Sequence, residues 1–123
     1  MSLLQHLRLY HGDWMLKREE LNALFASRPP LPFTVYPVGD VITARPVIAD
    51  TLITSTLTRV PGTNEVMPMV NYYHEKLGYR IHSPNELAIF FDIDPTAFYP
   101  AELIYIHDIE TCMFLPNRFT IVV

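Results

Sequence analysis

The sequence contains very little cysteine and glycine, and no long hydrophobic run. A single cysteine among 123 residues excludes an internal disulfide. With no signal peptide in view, this composition predicts an intracellular, cytoplasmic protein in a reducing compartment. The four glycines are isolated, which excludes a glycine-rich phosphate-binding loop. No apolar run approaches the ~18 residues of a membrane-spanning helix, so we expect no membrane partner.

Basic residues are also scarce. Nine lysines and arginines are scattered along the chain against thirteen acidic residues, which gives a net charge of −4. Proteins that wrap nucleic acid need clustered positive charge, so the composition predicts no nucleic-acid partner. Half of the residues are hydrophobic, and the length suits one hydrophobic core. We therefore predict a single folded domain spanning residues 1–123.

The order of helical and strand-like patterns predicts the fold class. Ser2 and Gln5 match a capping box before a helix ending near His11, and a second helix is predicted for 14–27. Period-two patterns then predict strands, and proline and glycine bracket one further short helix. The strands are predicted at 33–38, 50–59, 86–94 and 102–107, and the helix at 68–77. This order favours an α+β fold with two N-terminal helices and a mainly antiparallel sheet, either single or split into two packed sheets.

The last sixteen residues contain a candidate site. They read as a strand, a tight turn at 116–118 and a closing strand. Glu110 and Cys112 lie two positions apart on the first strand and therefore share one face. A carboxylate and a thiol on one face beside a turn suit the edge of a cleft. The alternative is an ordinary terminal hairpin with a solvated glutamate and a buried cysteine.

The order of several short motifs resembles the mono-ADP-ribosyltransferases of the toxin and exoenzyme kind. In that family an aliphatic strand leads into an arginine, and a Ser-Thr-Ser strand follows. An apolar strand and a Glu-x-Glu strand with a closing partner come last. The similar segments here are LPFTVY at 31–36, LITSTL at 52–57, LAIFFDI at 87–93, ETCMFLP at 110–116 and RFTIV at 118–122. The resemblance covers residues 18–123 and implies an ADP-ribosyltransferase-like fold with NAD as cofactor.

The resemblance also implies which side chains line the NAD cleft. Glu110 is the implied catalytic acid. The implied cofactor-binding residues are Tyr36, Thr54, Ser55, Thr56 and Cys112.

Two departures from the family pattern weaken the implied NAD site. Pro37 stands where the family has its arginine, and proline supplies neither charge nor a backbone donor. Cys112 stands in place of the second glutamate, and a thiol with a pKa of about 8.5 stays mostly neutral at pH 7. The resemblance therefore implies a degenerate NAD site that is weakly active or inactive, and leaves open whether the chain is an enzyme.

Two other functions remain as alternatives. One is a non-catalytic protein-binding or structural module, of the kind found in viruses or mobile elements, with self-association through an edge strand at 33–38 or 119–123. The other is metal-dependent phosphoryl transfer at Asp92 and Asp94, which share a strand face. The five histidines have no metal-ligand spacing, so we name no metal-binding residue. The aromatic pairs at 72–73, 90–91 and 98–99 are interpreted as core and cross-strand packing.

Overall fold

The computed structural model describes residues 1–107, and within them the chain has an α+β fold. The helices are α1 (Leu3–His11), α2 (Arg18–Ala26) and α3 (Met69–Leu77). Short 3-10 turns occupy Trp14–Lys17, Ile53–Ser55 and Ala101–Leu103. The strands are β1 (Leu31–Val35), β2 (Asp40–Ala44), β3 (Pro46–Leu52), β4 (Leu57–Arg59), β5 (Val66–Pro68), β6 (Leu87–Phe91), β7 (Asp94–Tyr99) and β8 (Ile104–Ile106). The predicted α+β class and the two N-terminal helices are confirmed.

The capping box predicted at the N-terminus starts α1. The Ser2 hydroxyl accepts a hydrogen bond from the Gln5 amide at 3.1 Å, and the Gln5 side chain accepts one from the Ser2 amide at 2.9 Å. Two of the otherwise unpaired donors of the first turn are thereby satisfied. Leu3, Leu4 and Leu7 are buried along one face of the helix. This face anchors the N-terminus of the chain in the core.

The eight strands of residues 1–107 form three small antiparallel sheets. In the first, β1 lies between β2 and β8, and Phe33 is paired with Ile42 on one side and Ile106 on the other. In the second, β6 lies between β3 and β7. The third is the two-stranded hairpin of β4 and β5. Because β3 pairs directly with β6, the intervening segment 53–86 is one continuous insertion that carries the hairpin and α3.

The buried side chains form two hydrophobic clusters. The larger cluster joins α1 and α2 to both three-stranded sheets, and Phe33 and Phe91 meet inside it with ring centroids 5.5 Å apart. The smaller cluster lies under α3 and includes Met69, Tyr73 and Leu103. The cluster under α3 fixes the insertion against the rest of the fold.

The predicted strands 33–38 and 102–107 are shorter in the structure, and no strand is predicted at β2 or β5. The other two predicted strands differ more. The predicted strand 50–59 is interrupted, because β3 ends at Leu52 and a 3-10 turn precedes β4. The predicted strand 86–94 ends early at Phe91, and the chain turns back into β7, which continues through Pro95. Proline is tolerated there because β7 is an edge strand of its sheet. Asp94 supports the turn by accepting hydrogen bonds from the amide and hydroxyl of Thr96.

Candidate functional site

A cleft opens between the insertion and the two three-stranded sheets. One wall is built from β4, its turn and α3, and the other from the β1–β2 turn and β7. The cavity has a volume of about 320 Å³. The two walls belong to different parts of the chain, so the cleft exists only when the insertion packs onto the sheets.

Aromatic side chains dominate the lining of this cleft. The rings of Tyr72 and Tyr73 on α3 meet edge to face, with centroids 5.6 Å apart. Phe98 and Tyr99 contribute from β7, where Tyr99 lies 5.7 Å from Phe91 between ring centroids. Tyr36 completes the set from the β1–β2 turn. Five aromatic rings therefore line one small cavity.

The cleft also holds one cation and one carboxylate, Arg59 and Asp40. Arg59 ends β4 and is positioned by the turn that follows it. In that turn Pro61 and Gly62 are the central residues, Gly62 has φ +78°, and the Thr63 amide donates to the Val60 carbonyl at 3.1 Å. These are the features of a type II turn, which needs glycine at its third position. The turn therefore fixes the backbone next to Arg59, an exposed residue that lines the cleft.

Tyr73 and Tyr99 of the cleft stay protonated at neutral pH, because the pKa of each is raised. Burial raises the pKa of Tyr73, and the nearby hydroxyls of Tyr99 and Tyr72 add to the effect. Burial also raises the pKa of Tyr99, and the carboxylates of Asp94 and Asp40 raise it further. Their hydroxyl groups can therefore donate hydrogen bonds to an anionic ligand.

Helix α3 is held at both ends by backbone hydrogen bonds. At its start the Met69 amide donates to the Thr56 carbonyl at 2.9 Å. At its end Gly78 adopts a left-handed conformation with φ 68°, and the Tyr79 amide donates to the Tyr73 carbonyl at 2.9 Å. These bonds fix the ends of α3 within the insertion, and the buried cluster that includes Tyr73, Ala49 and Ala88 packs the helix against the sheets.

Of the predicted site residues that fall within residues 1–107, one lines this cleft. Tyr36 lines it, whereas Thr54, Ser55 and Thr56 do not. Thr54 and Ser55 lie in the exposed 3-10 turn, and the buried Thr56 hydroxyl donates to the Leu52 carbonyl at 2.8 Å. The predicted Glu110 and Cys112 lie outside the described residues.

The carboxylates proposed for phosphoryl transfer do not form a shared site. Asp92 accepts hydrogen bonds from the Arg45 backbone at 3.0 Å and from its guanidinium at 3.2 Å. Asp94 is bonded to Thr96 across the following turn. Within residues 1–107, no group of three or more His, Cys, Asp or Glu side chains could hold a metal ion. The structure gives the phosphoryl-transfer hypothesis no support.

Comparison with solved structures identifies the fold. The PAZ domain of Drosophila Argonaute2, in a structure concerned with its nucleic acid binding, superposes with a TM-score of 0.62 at 14% identity. That match covers 88% of this chain and 99% of the other. The chain has a PAZ-like fold. A second structure of the Drosophila Argonaute 2 PAZ domain, on 3′ end recognition of nucleic acids, gives a TM-score of 0.59, also at 14% identity, and covers 88% and 94% of the two chains.

Sequence comparisons add nothing to this assignment. No protein-family model matches the chain, and no curated protein sequence matches it either. At 14% identity the likeness to the two PAZ domains is one of fold.

The PAZ-like fold overturns the resemblance to ADP-ribosyltransferases. The motifs behind that resemblance are short, and an order of apolar strands is common to many α+β folds. Thr54 and Ser55, which correspond to part of the family's Ser-Thr-Ser strand, lie in a 3-10 turn, and Thr56 directly follows it. The assignment as a degenerate ADP-ribosyltransferase is wrong. NAD binding itself stays an untested prediction, and the family resemblance no longer supports it.

The comparison with solved structures also contradicts the prediction that nucleic acid is not a partner. The PAZ domains that share this fold are described as binding nucleic acid and recognising its 3′ ends. The net charge of −4 describes the whole chain, whereas a small cleft needs only local positive charge.

None of the helices in residues 1–107 has both the length and the apolar character needed to cross a membrane. The compartment and self-association remain predictions.

Sequence reasoning missed most of the residues in the cleft, although one signal pointed to them. Neighbouring residues point in different directions on a helix and on a strand, so two adjacent aromatic rings are rarely both fully buried. Tyr73 is buried and Tyr72 is only half-buried, although both pack on the cluster under α3. Phe98 and Tyr99 are both half-buried, with Phe98 on the cluster under α3 and Tyr99 on the larger one. The half-buried rings of both pairs line the cleft.

Proposed function

We propose that the cleft binds the 3′ end of a single-stranded nucleic acid. One observation carries the proposal: a guanidinium, protonated tyrosine hydroxyls and five aromatic rings converge in one cavity. The PAZ-like fold supports it, because the two Drosophila Argonaute2 PAZ structures with this fold are described as concerning nucleic acid binding and 3′ end recognition of nucleic acids, respectively.

The chemistry of the lining suits a terminal nucleotide. Nucleobases stack on aromatic side chains, and each stacked base contributes about 1–3 kcal/mol to binding. Arg59 supplies charge-assisted hydrogen bonds to a phosphate, and neutral tyrosine hydroxyls donate to phosphate oxygens. Asp40 can accept hydrogen bonds from the hydroxyls of a terminal ribose. Each part of a nucleotide end thus has a partner of suitable chemistry.

The size of the cleft favours an end over the middle of a strand or a duplex. A volume of about 320 Å³ lies at the lower limit of small-molecule sites, which are about 300–1,000 Å³. Such a space accepts a nucleotide-sized group. A continuous strand has no terminal group to insert there.

The proposal predicts that binding requires a free end. We expect a 5′-labelled linear oligonucleotide to bind in a fluorescence anisotropy titration, and a circular oligonucleotide of the same sequence not to compete. Arg59→Gln should weaken binding about tenfold, because it removes a charge-assisted contact to phosphate. Lys17→Gln removes the same charge from an exposed turn away from the cleft and should leave the affinity unchanged.

Equal competition by the linear and circular oligonucleotides would contradict end recognition. Equal losses for Arg59→Gln and Lys17→Gln would show that the charge acts at long range and not within the cleft.

A further inference from the structure

A second aromatic surface lies beside the cleft. It is a groove of about 500 Å³ lined by Tyr36, Pro37, Tyr79, Leu103 and Tyr105, and we refer to it as the tyrosine groove. Tyr36 and Tyr105 meet edge to face, with ring centroids 5.1 Å apart. Tyr36 lines the cleft as well as the groove. The two surfaces are therefore continuous.

The exposure of these rings is unusual within the described part of the chain. Tyr36 is 46% exposed and Tyr105 is 37% exposed, and among residues 1–107 they are the exposed aromatic side chains. Large aromatic rings bury readily in a core. That both exposed rings meet at the border of the cleft points to a ligand that covers them there.

The local structure presents the two rings outward. Tyr105 lies on β8 between Ile104 and Ile106, which are buried, so strand alternation points its ring the other way. Tyr36 follows the buried Val35 at the end of β1, and its amide donates to the Leu103 carbonyl at 2.9 Å. The backbone thus directs both side chains outward, and their edge-to-face contact holds the two rings against each other.

The third tyrosine of the groove is fixed by its hydroxyl. Tyr79 donates to a Glu102 carboxylate oxygen at 2.6 Å. Glu102 also accepts hydrogen bonds from the His82 amide at 3.0 Å and the Ser83 amide at 2.9 Å. A rigid aromatic surface loses little conformational freedom on binding, which favours affinity.

We propose that the tyrosine groove is a stacking surface for the nucleotides that precede the 3′-terminal one. This inference rests on the proposed function of the cleft, since the same strand would leave the cleft past Tyr36. The lining of the groove is uncharged, which suits bases better than phosphates. Because every base has an aromatic face, stacking of this kind tolerates any sequence.

The test compares a short ligand with a longer one. A dinucleotide reaches only the cleft, whereas a hexanucleotide with the same 3′ end also covers the groove. We expect Tyr105→Thr, which keeps a good strand-forming residue, to weaken hexanucleotide binding about tenfold. Dinucleotide binding, measured by competition, should be unchanged. Tyr105→Phe keeps the ring and should bind both ligands like the wild type.

A position-specific readout separates stacking from indirect effects. 2-Aminopurine fluorescence is quenched when the base stacks, so a hexanucleotide carrying it at the third position from the 3′ end should be quenched by the wild type and not by Tyr105→Thr. The same probe at the 3′-terminal position should be quenched equally by both proteins. Leu16→Ala, an exposed substitution on another surface, is the matched control and should behave like the wild type.

Each other outcome overturns the groove proposal. Unchanged hexanucleotide binding by Tyr105→Thr would leave the cleft as the whole site. Equal loss for both ligands would mean that Tyr105 supports the cleft or the fold. If the wild type binds neither ligand, the function proposed for the cleft fails together with the groove.

Discussion

Glu102 is the most heavily hydrogen-bonded carboxylate among the described residues. It accepts from the Tyr79 hydroxyl and from the backbone amides of His82 and Ser83. Burial opposes its ionisation, but these hydrogen bonds outweigh burial and lower its pKa below the ordinary 4.5. The ionised carboxylate therefore ties the segment after α3 to the 3-10 turn before β8.

This shift predicts acid sensitivity. A lowered folded-state pKa stabilises the fold at pH values above the unfolded value of about 4.5, and this stabilisation is lost as the pH falls through the lowered value. We expect Glu102→Gln to reduce the free energy of unfolding at pH 7 by about 1–3 kcal/mol, since it weakens charge-assisted hydrogen bonds.

Urea unfolding at several pH values checks this prediction. The stability difference between wild type and Glu102→Gln should shrink as the pH falls below about 4.5. Glu19→Gln, an exposed carboxylate on α2, is the matched control and should follow the wild type. A difference that stays constant down to pH 3 would show that packing, and not ionisation, accounts for the role of Glu102.

Helix α3 and the hairpin before it form the element that makes the cleft. The helix ends at Gly78, which has φ 68°, and a Cβ added there would meet no heavy atom within 4 Å. A substitution at this position therefore costs only conformational energy. For a residue with a Cβ, the left-handed conformation costs about 1–2 kcal/mol.

We expect Gly78→Ala to lower the free energy of unfolding by about 1 kcal/mol. Thermal or urea unfolding of the purified protein measures the change. Asn71→Ala lies on the exposed face of the same helix and should be neutral or slightly stabilising, because alanine is the better helix former. A neutral Gly78→Ala would indicate that the helix end adopts another conformation in solution.

The sequence predicted the helices better than the strands. The capping box at Ser2 and the proline and glycine that bracket α3 are local signals, so the helix bounds followed from neighbouring residues. The 3-10 turn at Ile53–Ser55 lies within an alternating pattern typical of a strand. Its conformation depends on distant partners, since the Ile53 and Thr54 amides donate to carbonyls of Glu86 and Pro84. The local sequence alone does not predict such long-range hydrogen bonds.

The candidate site could be predicted only in part for a similar reason. The family resemblance that predicts Tyr36 as a site residue is wrong. Tyr36 lines the cleft because of its position in the β1–β2 turn. No sequence pattern marks Arg59 as a site residue, because a single arginine after an alternating segment is common on protein surfaces. Only the structure shows that it lines the same cleft as α3. The cleft forms only where its two walls pack together, and the local sequence of each wall does not show how it packs against the other.

At the scale of the whole molecule, the chain carries little positive charge, with nine lysines and arginines against thirteen acidic residues. With Arg59 as the cation that lines the cleft and a net charge of −4, we expect only one or two neutralised phosphates. Binding to single strands then depends weakly on salt, with a slope of log K against log salt of about −0.7 per phosphate.

Raising the salt from 50 to 200 mM should therefore weaken binding only about threefold to sevenfold. Anisotropy titrations of one oligonucleotide at several salt concentrations give the slope, and Arg59→Gln should make it shallower by about 0.7. A loss of about a thousandfold over this range would instead mean an extended electrostatic surface and would contradict binding at the end alone.

The continuous insertion between β3 and β6 has a consequence for how such a protein can diverge. One wall of the cleft is encoded by a single uninterrupted stretch of chain, while the direct pairing of β3 with β6 is set by residues on either side. Insertions, deletions and substitutions in that stretch can change its length and chemistry without shifting the strand register. The residues that it covers on the sheet side include two alanines, Ala49 and Ala88. Their small side chains can pack against segments of different shape. The lining of the cleft can therefore change in evolution, or by grafting one segment, while the sheets stay the same.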